Sequence, residues 1–463
     1  MTEAPSTVTT EQPADGLKTR LTAEERRQLA HTYAPILVLF PEQQALGRPY
    51  GGTNDPSQTR GDFHPRPVGI VLDNAYLYPG IRGNLKNPRR LLHFDQAHPL
   101  IRHLPEFVRR QFPEPEPNAR TALQKLLHED AGIALASVLD LIGIGRDRTA
   151  PQRAWQRYFE ILESVDDDRY KHRVYARVVQ GDEVVEWTLR DRLRWYSQLL
   201  AALDDIVRQT PAPFPQIADE IEAFLEQVEA SVEEFVTGLK PVDGDPRDVA
   251  IQYWFLYYYN DWHNRHEVDW EGITVILRGN PDAPVTPDNL TPEIAGYAGH
   301  VSGRRRPWTA VERQANRPVV YSARGSHASF FDCRASGYSA GLPISMKIPW
   351  LNFTIKWQIR RSDLGRRDWV ADPSNDPTGA ATLYPDSDYE VQLLPNLDPR
   401  KRRFTEEDIE TLSWLIYPGL WGDRSLLSIG GSGPHGPLWQ GTKSDNPFEW
   451  VRRECAADDI YSP

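Results

Sequence analysis

The feature that most constrains the fold of this 463-residue chain is the segment Ile251-Gln-Tyr-Trp-Phe-Leu-Tyr-Tyr-Tyr259. Aromatic and β-branched side chains favour a pleated and partly buried backbone, so this segment predicts a β-strand. Alternate residues of a strand point to opposite faces, so at least half of these aromatic side chains must enter a core. The chain therefore has to assemble further elements on top of this strand.

Other segments predict both strands and helices. Apolar runs at Ala34–Phe40, 273–277, 318–323 and 353–360 predict strands. Thr22 and Glu25 form a capping-box pattern that predicts a helix to about Thr32. Apolar residues at helical spacing predict helices at 121–142, 191–207 and 217–239. The fold class that follows is α+β, with a mainly antiparallel β-sandwich core and helical insertions.

The same patterns divide the chain into six consecutive parts. In order, they are a disordered N-terminus and first helix (1–32), a first β segment of the core (33–98), a helical segment (99–170), a β-hairpin of the core (171–187), a helical insertion (188–248) and the main β core that carries the predicted site (249–463). The hairpin rests on two β-rich runs that flank Gln180-Gly-Asp182.

Charge and cysteine content exclude several classes of function. The formal net charge of −12 argues against a nucleic-acid partner, because such proteins neutralise phosphates. No stretch reaches the roughly 18 apolar residues of a transmembrane segment. Two cysteines are too few for a disulfide scaffold or a cysteine-based zinc site. No signal peptide is recognised, so the sequence predicts a cytoplasmic protein, with non-classical export left open.

The densest group of polar residues, Asn260 to Glu271, lies between two predicted strands. Loops at the end of a sheet hold functional side chains on a rigid support. If the chain is extended from Asp269 onward, Asp269 and Glu271 project from one face. Carboxylates with an imidazole suit a divalent metal ion, namely Mg²⁺, Ca²⁺, Mn²⁺ or Zn²⁺. A surface loop of hydrogen-bonded polar groups is the alternative.

Two further segments contain candidate site residues. Gly325-Ser-His327 follows a predicted strand directly, and its glycine permits a tight turn there. Ser326 and His327 are sequence neighbours that point apart in an extended chain, so they make a poor catalytic pair. The segment from Gly299 to Arg306 contains His300 and three consecutive arginines, which could neutralise an anionic substrate or simply form a solvated basic loop.

At these residues the chain resembles the vacuolar-protein-sorting-62-type family. The resemblance is carried by QYWFLYYYNDW, HEVDWEGITV and RPVVYSARGSHASFF, and it extends discontinuously over about residues 33 to 453. The chain departs from the family pattern at Asn264-Arg265 and at Val268, where the family has Gly-Asp and Gly. The His-Asp-Trp-Glu segment is also remotely similar to the Nep1-like necrosis-inducing proteins. Those are β-sandwiches that hold a divalent cation and bind sphingolipid head groups.

Taken together, these signals favour a metal-dependent enzyme, most generically a hydrolase acting on a small or anionic substrate. We expect His266, Asp269, Glu271 and His327 to hold the divalent ion, with Glu271 or His300 moving a proton and Arg304 helping to neutralise the substrate. The sequence also leaves open a cation-dependent module that binds a glycan, a lipid head group or a protein. A trafficking-type scaffold is a third reading, following the family's name. The oligomeric state is not indicated.

Overall fold

The structure is a computed structural model. It describes residues 19–42, 62–78, 118–129, 138–141, 144, 150–166, 168–184, 245–261, 266–299, 302–335, 342–348, 353–359, 368–374, 380–397, 404–422 and 433–458.

Helices and strands alternate irregularly along the chain. The helices are α1 (Ala23–Thr32), α2 (Gly69–Leu72), α3 (Ala119–Glu129), α4 (Ala150–Glu163), α5 (Glu406–Ile416), α6 (Thr442–Asp445) and α7 (Pro447–Glu449), the last continuing into a π-turn at Trp450–Glu454. Short 3₁₀ turns occur at Gly181–Glu183, Pro287–Asn289, Trp308–Ala310 and Cys333–Ala335. The strands are β1 (Ile36–Leu39), β2 (Tyr76–Tyr78), β3 (Val138–Asp140), β4 (Arg173–Gln180), β5 (Val249–Asn260), β6 (His266–Gly279), β7 (Leu290–Gly299), β8 (Ser302–Pro307), β9 (Arg313–Gln314), β10 (Arg317–Ser322), β11 (Ser329–Phe330), β12 (Leu342–Ile348), β13 (Phe353–Ile359), β14 (Ala381–Leu383), β15 (Glu390–Leu394), β16 (Leu420–Trp421) and β17 (Ala456–Ala457).

The largest sheet has seven strands in the order β15-β4-β5-β6-β7-β8-β17. Strands β4 to β8 are antiparallel to one another, whereas the two outer strands, β15 and β17, pair in parallel with β4 and β8. The long β5–β6 pair is in continuous register from Val249 opposite Leu277 to Asn260 opposite His266. The polar end of this pair of strands therefore lies at one end of the sheet, where the strands terminate.

A second sheet contains β11, β10, β1 and β14, with β9 paired to β10. Its strands β1 and β10 are parallel although they lie far apart in the chain. Two smaller sheets are formed by β16-β3-β2 and by β12-β13. The described chain is thus a mixed α+β structure with mostly antiparallel sheets, as the sequence predicts.

The aromatic segment forms the centre of the core. All twelve residues of β5 are buried, so both faces of this strand are covered rather than only one. Tyrosine hydroxyls tie the two larger sheets and their helices together: Tyr253 donates to Ala30 O at 3.0 Å, and Tyr297 donates to Val319 O at 3.0 Å. Buried tyrosines need such partners, because an unpaired buried hydroxyl is costly.

The predicted first helix is confirmed, and its cap explains where it begins. Thr22 precedes α1 and its side chain accepts from the Glu25 backbone N–H, while the Glu25 carboxylate accepts from Thr22 N. This reciprocal pair satisfies N–H groups that have no partner within the helix.

One expectation about local structure is wrong. The predicted helix at 121–142 ends at Glu129 as α3, and Val138–Asp140 is strand β3, which pairs with β2 and β16. Pairing with remote strands overrides the local pattern there. The first strand of the predicted hairpin at 171–187 is β4, which pairs with β5 and β15, and the end of its predicted second strand, 185–187, lies outside the described residues.

Several expectations concern residues that the structure does not describe. The predicted helices at 191–207 and 217–239 lie outside the described residues, as do the first 18 residues. Where the structure describes the chain, none of the helices combines the length and apolar character needed to cross a membrane. Cys333 and Cys455 are both free cysteines.

Gly422 is a position at which the fold requires glycine. It has a φ of +93°, and a Cβ there would collide with the main-chain oxygen of Glu267 on β6. We expect Gly422→Ala to lower the free energy of unfolding by about 3 kcal/mol, because the left-handed backbone and the collision both oppose a side chain. Chemical denaturation followed by tryptophan fluorescence measures the change.

Gly69→Ala is the matched control for this substitution. A Cβ at Gly69 would make only ordinary contacts, the nearest at 3.4 Å from Tyr170 Cε1. Its effect should stay within about 1 kcal/mol. Equal effects of the two substitutions would contradict the assignment of strain to Gly422.

Candidate functional site

The centre of the candidate site is His327, whose imidazole lies between two carboxylates. Its Nδ1 is 3.1 Å from Asp269 Oδ2, and its Nε2 is 3.2 Å from Asp62 Oδ1. The His327 side chain is completely buried, and the side chains of Asp62 and Asp269 are nearly so. Because carboxylates accept hydrogen bonds, this arrangement matches an imidazolium that donates from both nitrogens.

A tight turn after β10 places His327 in this position. Gly325 and His327 both have left-handed backbones, with φ of +77° and +53°. The turn is held by a hydrogen bond from Asp261 N to Gly325 O (2.9 Å) and by Gly325 N, which donates to the Asp62 carboxylate. A left-handed histidine is uncommon, so its surroundings must impose this conformation.

Strand β6 supplies the two acidic side chains of the site. Asp269 and Glu271 both interact electrostatically with His327, while Trp270 between them packs against Trp414 and Trp421 on the other face. The expectation that Asp269 and Glu271 share a face thus agrees with the structure. Asn260, at the end of β5, donates to Asp269 Oδ2 at 2.9 Å.

Val268 breaks the regular pleat just before Asp269. Its φ is +56°, which is an outlier for a β-branched residue. Strict alternation would put Glu267 beside Asp269, yet the Glu267 carboxylate accepts from Leu141 N at 2.6 Å, next to β3. The break therefore sends Glu267 away and leaves Asp269 facing His327.

One face of the His327 ring is covered by Tyr257. The two rings are stacked, with centroids 3.9 Å apart and planes inclined by 8°. The Tyr257 hydroxyl lies 3.3 Å from Ser322 Oγ at the end of β10. The imidazole is therefore fixed in its plane by two aspartates and along its normal by an aromatic ring.

These surroundings shift the pKa values of the site in opposite directions. Burial alone would lower the pKa of His327, but the charge of Asp62 and the hydrogen bonds to both aspartates raise it to about 9. Burial and the charge of Asp269 raise the pKa of Glu271 well above its ordinary value. Burial opposes ionisation of Asp269 as well, yet His327, His266 and Asn260 bring its pKa below the usual value.

The remaining predicted residues are placed differently. His266 lies at the start of β6, and its Nδ1 is 2.8 Å from Val268 O, which indicates an N–H there. Arg304 lies on β8, two strands from β6, and its guanidinium is 3.5 Å from Asp458. His300 lies outside the described residues. Ser326 donates to Asp368 at 2.7 Å, so its hydroxyl is directed away from His327.

As placed, the four predicted metal ligands do not fit an ion. Both nitrogens of His327 face carboxylates, and a protonated nitrogen has no lone pair for a metal. Within the described chain, no three of His266, Asp269, Glu271 and His327 bring their ligand atoms within 4.8 Å of one another. Asp269 and His327 are instead hydrogen-bonded to each other, and His266 bonds to the backbone oxygen of Val268.

Asp62 is the site residue that the sequence analysis missed. It lies in a proline- and glycine-rich stretch that carries no recognised motif. The only local sign is the alternation Asp62-Phe-His64-Pro-Arg66, where polar residues recur at every second position as in an extended chain.

Comparison with protein-family models found no match, and comparisons with curated proteins and with solved structures found none either. The resemblance to the vacuolar-protein-sorting-62-type family therefore stays a prediction.

The raised pKa of His327 makes folding depend on pH. A histidine with a raised pKa stabilises the folded state below its unfolded value of 6.5, and this stability is lost as the pH rises through about 9. At 1.36 kcal/mol per pKa unit, we expect a loss of roughly 3 kcal/mol across this range. Glu271 adds a loss of the same sign that begins at lower pH. Urea denaturation at a series of pH values measures the slope.

Two variants check the origin of this slope. His327→Gln should reduce the slope between pH 6.5 and 9 to the part that Glu271 contributes. His128→Gln, at an exposed position near the end of α3, should leave it unchanged. A wild-type slope in His327→Gln would show that another group is responsible.

Proposed function

We propose that the protein is a hydrolase in which Asp269 and Glu271 transfer protons. The observation that carries this proposal is the pair itself: two carboxyl groups on one face of β6, beside the buried imidazole of His327. Their surroundings favour an ionised Asp269 and a protonated Glu271. When the pKa values of two neighbouring carboxyl groups are shifted in opposite directions, the group with the lower pKa usually acts as the general base and the other as the general acid.

The hydrogen bonds of Asp269 suit the role of the base. Both of its described hydrogen bonds, from Asn260 and His327, end on Oδ2. In the proposed reaction Oδ1 therefore takes the proton of the attacking water, while Glu271 gives its proton to the leaving group. His327 holds Asp269 in place and balances its charge, and Asp62 in turn orients His327.

The burial of β5 weighs against the alternative of a binding module. That alternative relies on aromatic side chains exposed for stacking on a glycan or lipid head group, but every residue of β5 is buried. The acidic pair is also enclosed, since Glu271 is only 9% exposed. We therefore infer a small substrate. Of the three arginines proposed to attract an anion, Arg304 and Arg306 pair with Asp458, so they add little positive charge.

We also infer that the two larger sheets face each other as a β-sandwich. Support comes from the hydroxyls of Tyr257 and Tyr297, which reach from the seven-stranded sheet to Ser322 and Val319 of β10. Tyr297 also stacks on Phe331, next to β11, with centroids 3.8 Å apart. The proposed site then lies at the end of the sandwich where β6 and the turn after β10 meet. The cytoplasmic location stays a prediction.

Glu271→Gln tests the proposed acid. We expect it to reduce turnover at least about 100-fold, because an amide cannot supply the proton, while folding is retained. Asp269→Asn should cause a comparable loss. The assay uses p-nitrophenyl esters, phosphates and glycosides as probes, and initial rates are compared with those of the wild type.

Glu406→Gln is the matched control, since Glu406 is exposed in the first turn of α5. It should turn over each probe at the wild-type rate. Turnover in folded Glu271→Gln equal to that of the wild type would remove Glu271 from the mechanism. If the wild type hydrolyses none of the probes, a binding or scaffold role would be favoured over the hydrolase.

A further inference from the structure

A second polar cluster lies apart from the acidic pair, and no sequence motif marks it. It consists of Glu42, three residues after β1, His64 in the extended segment 62–66, and His172, directly before β4. The ligand atoms of these three side chains all lie within 4.8 Å of one another, and this is the one such group in the described chain.

His64 has the geometry of a metal ligand. It is 4% exposed, and its Nε2 lies 2.8 Å from Phe40 O, which requires the proton on Nε2. Its Nδ1 therefore carries the lone pair. That nitrogen is buried and has no hydrogen-bond partner. Histidines that bind metals almost always donate their other N–H to a carbonyl or carboxylate in this way.

His172, like His64, has one ring nitrogen at a backbone oxygen and the other nitrogen in the cluster. Its Nδ1 lies 3.3 Å from Asp388 O, so Nε2 is the nitrogen that faces the cluster. Nε2 is buried without a hydrogen bond, and it lies 3.5 Å from Glu42 Oε2. The two imidazole rings are 5.2 Å apart between centroids. Two buried imidazole nitrogens that lie beside one carboxylate without a well-formed hydrogen bond are unfavourable unless something binds them.

The Glu42 carboxylate is oriented by hydrogen bonds from neighbouring groups. Arg66 and the hydroxyl of Tyr158 both donate hydrogen bonds to it, and His64 N donates at 3.3 Å. Arg66 Nε also donates to Tyr158 at 2.7 Å, so these groups support one another. Such outer contacts fix the direction of a ligating carboxylate and keep it ionised.

We propose that Glu42, His64 and His172 bind one divalent transition-metal ion, such as Zn²⁺ or Fe²⁺, through the Glu42 carboxylate, His64 Nδ1 and His172 Nε2. Two imidazoles and one carboxylate suit these ions, whereas Mg²⁺ and Ca²⁺ prefer oxygen ligands alone. Three protein ligands leave a coordination position open, as in catalytic rather than structural zinc sites. Glu42 and His172 are partly exposed, with side chains 15% and 21% accessible, so an ion can enter from that side.

This metal site goes beyond the proposed hydrolase and does not depend on it. It uses none of the four residues from which the sequence predicts an ion site, of which Asp269 and His327 are hydrogen-bonded to each other. The two centres are nonetheless joined by one short segment, because Asp62 contacts His327 and His64 belongs to the metal cluster.

The test is metal binding by the full chain after chelation and removal of the chelator. Isothermal titration with ZnCl₂ should show one ion per wild-type chain. His64→Gln and His172→Gln should each weaken binding about 100-fold or more, and Tyr158→Phe, which loses only an outer contact, about 10-fold. Titration with MgCl₂ should give far weaker binding.

His128→Gln and Glu271→Gln are the controls, and both should bind zinc as the wild type does. Near-ultraviolet circular dichroism establishes that each variant is folded. Wild-type zinc affinity in folded His64→Gln or His172→Gln would overturn the proposal, and so would a wild type that binds no zinc. Loss of zinc in Glu271→Gln alone would place the ion at β6 and would also overturn it. A chain that binds zinc here but hydrolyses no probe supports this site and counts only against the hydrolase.

Discussion

The hydrogen-bonded bridge from Asp62 through His327 to Asp269 is the interaction on which the candidate site depends. It joins three parts of the chain that are distant in sequence: the extended segment before α2, strand β6 and the turn after β10. A buried imidazolium is tolerated only when its charge is balanced, and here a carboxylate accepts from each nitrogen. Removing one partner would leave an uncompensated charge in the core, so the three parts are held in one arrangement.

The segment from Asp62 to Arg66 organises the region around this bridge. Its polar side chains Asp62 and His64 serve two neighbouring clusters, while Phe63 between them stacks on Trp155 in the core at 4.0 Å between ring centroids. Arg66 N donates to Leu256 O, which fastens the segment to β5. Because side chains alternate along this segment, Phe63 packs in the core while Asp62 and His64 each belong to one of the two polar clusters.

Burial determines which chemistry these groups can perform. In water both carboxyl groups of β6 would ionise near their ordinary pKa values. In the core His327 stabilises the ionised form of Asp269 and so lowers its pKa. Burial and repulsion from the charge of Asp269 raise the pKa of Glu271. A similar asymmetry applies to His64 and His172, whose backbone partners select the protonated nitrogen of each ring.

Features that arise within a few residues of one another can be predicted from the sequence. The aromatic composition of β5, the shared face of Asp269 and Glu271, and the reciprocal cap of α1 follow from backbone periodicity and short-range hydrogen bonds. A strongly periodic stretch was nonetheless misleading where β3 replaces the end of a predicted helix, because its pairing partners lie elsewhere in the chain.

Which polar residues meet depends on the three-dimensional packing of segments that are distant in the chain. Asp62 reaches His327 across 265 positions of sequence, and no local pattern records such a contact. Glu42, His64 and His172 are brought together by the packing of three separate segments, so their common role is invisible in any one of them. The physical reason is that hydrogen bonds and metal ligation depend on distance in space, whereas periodicity reports only the face on which each side chain lies.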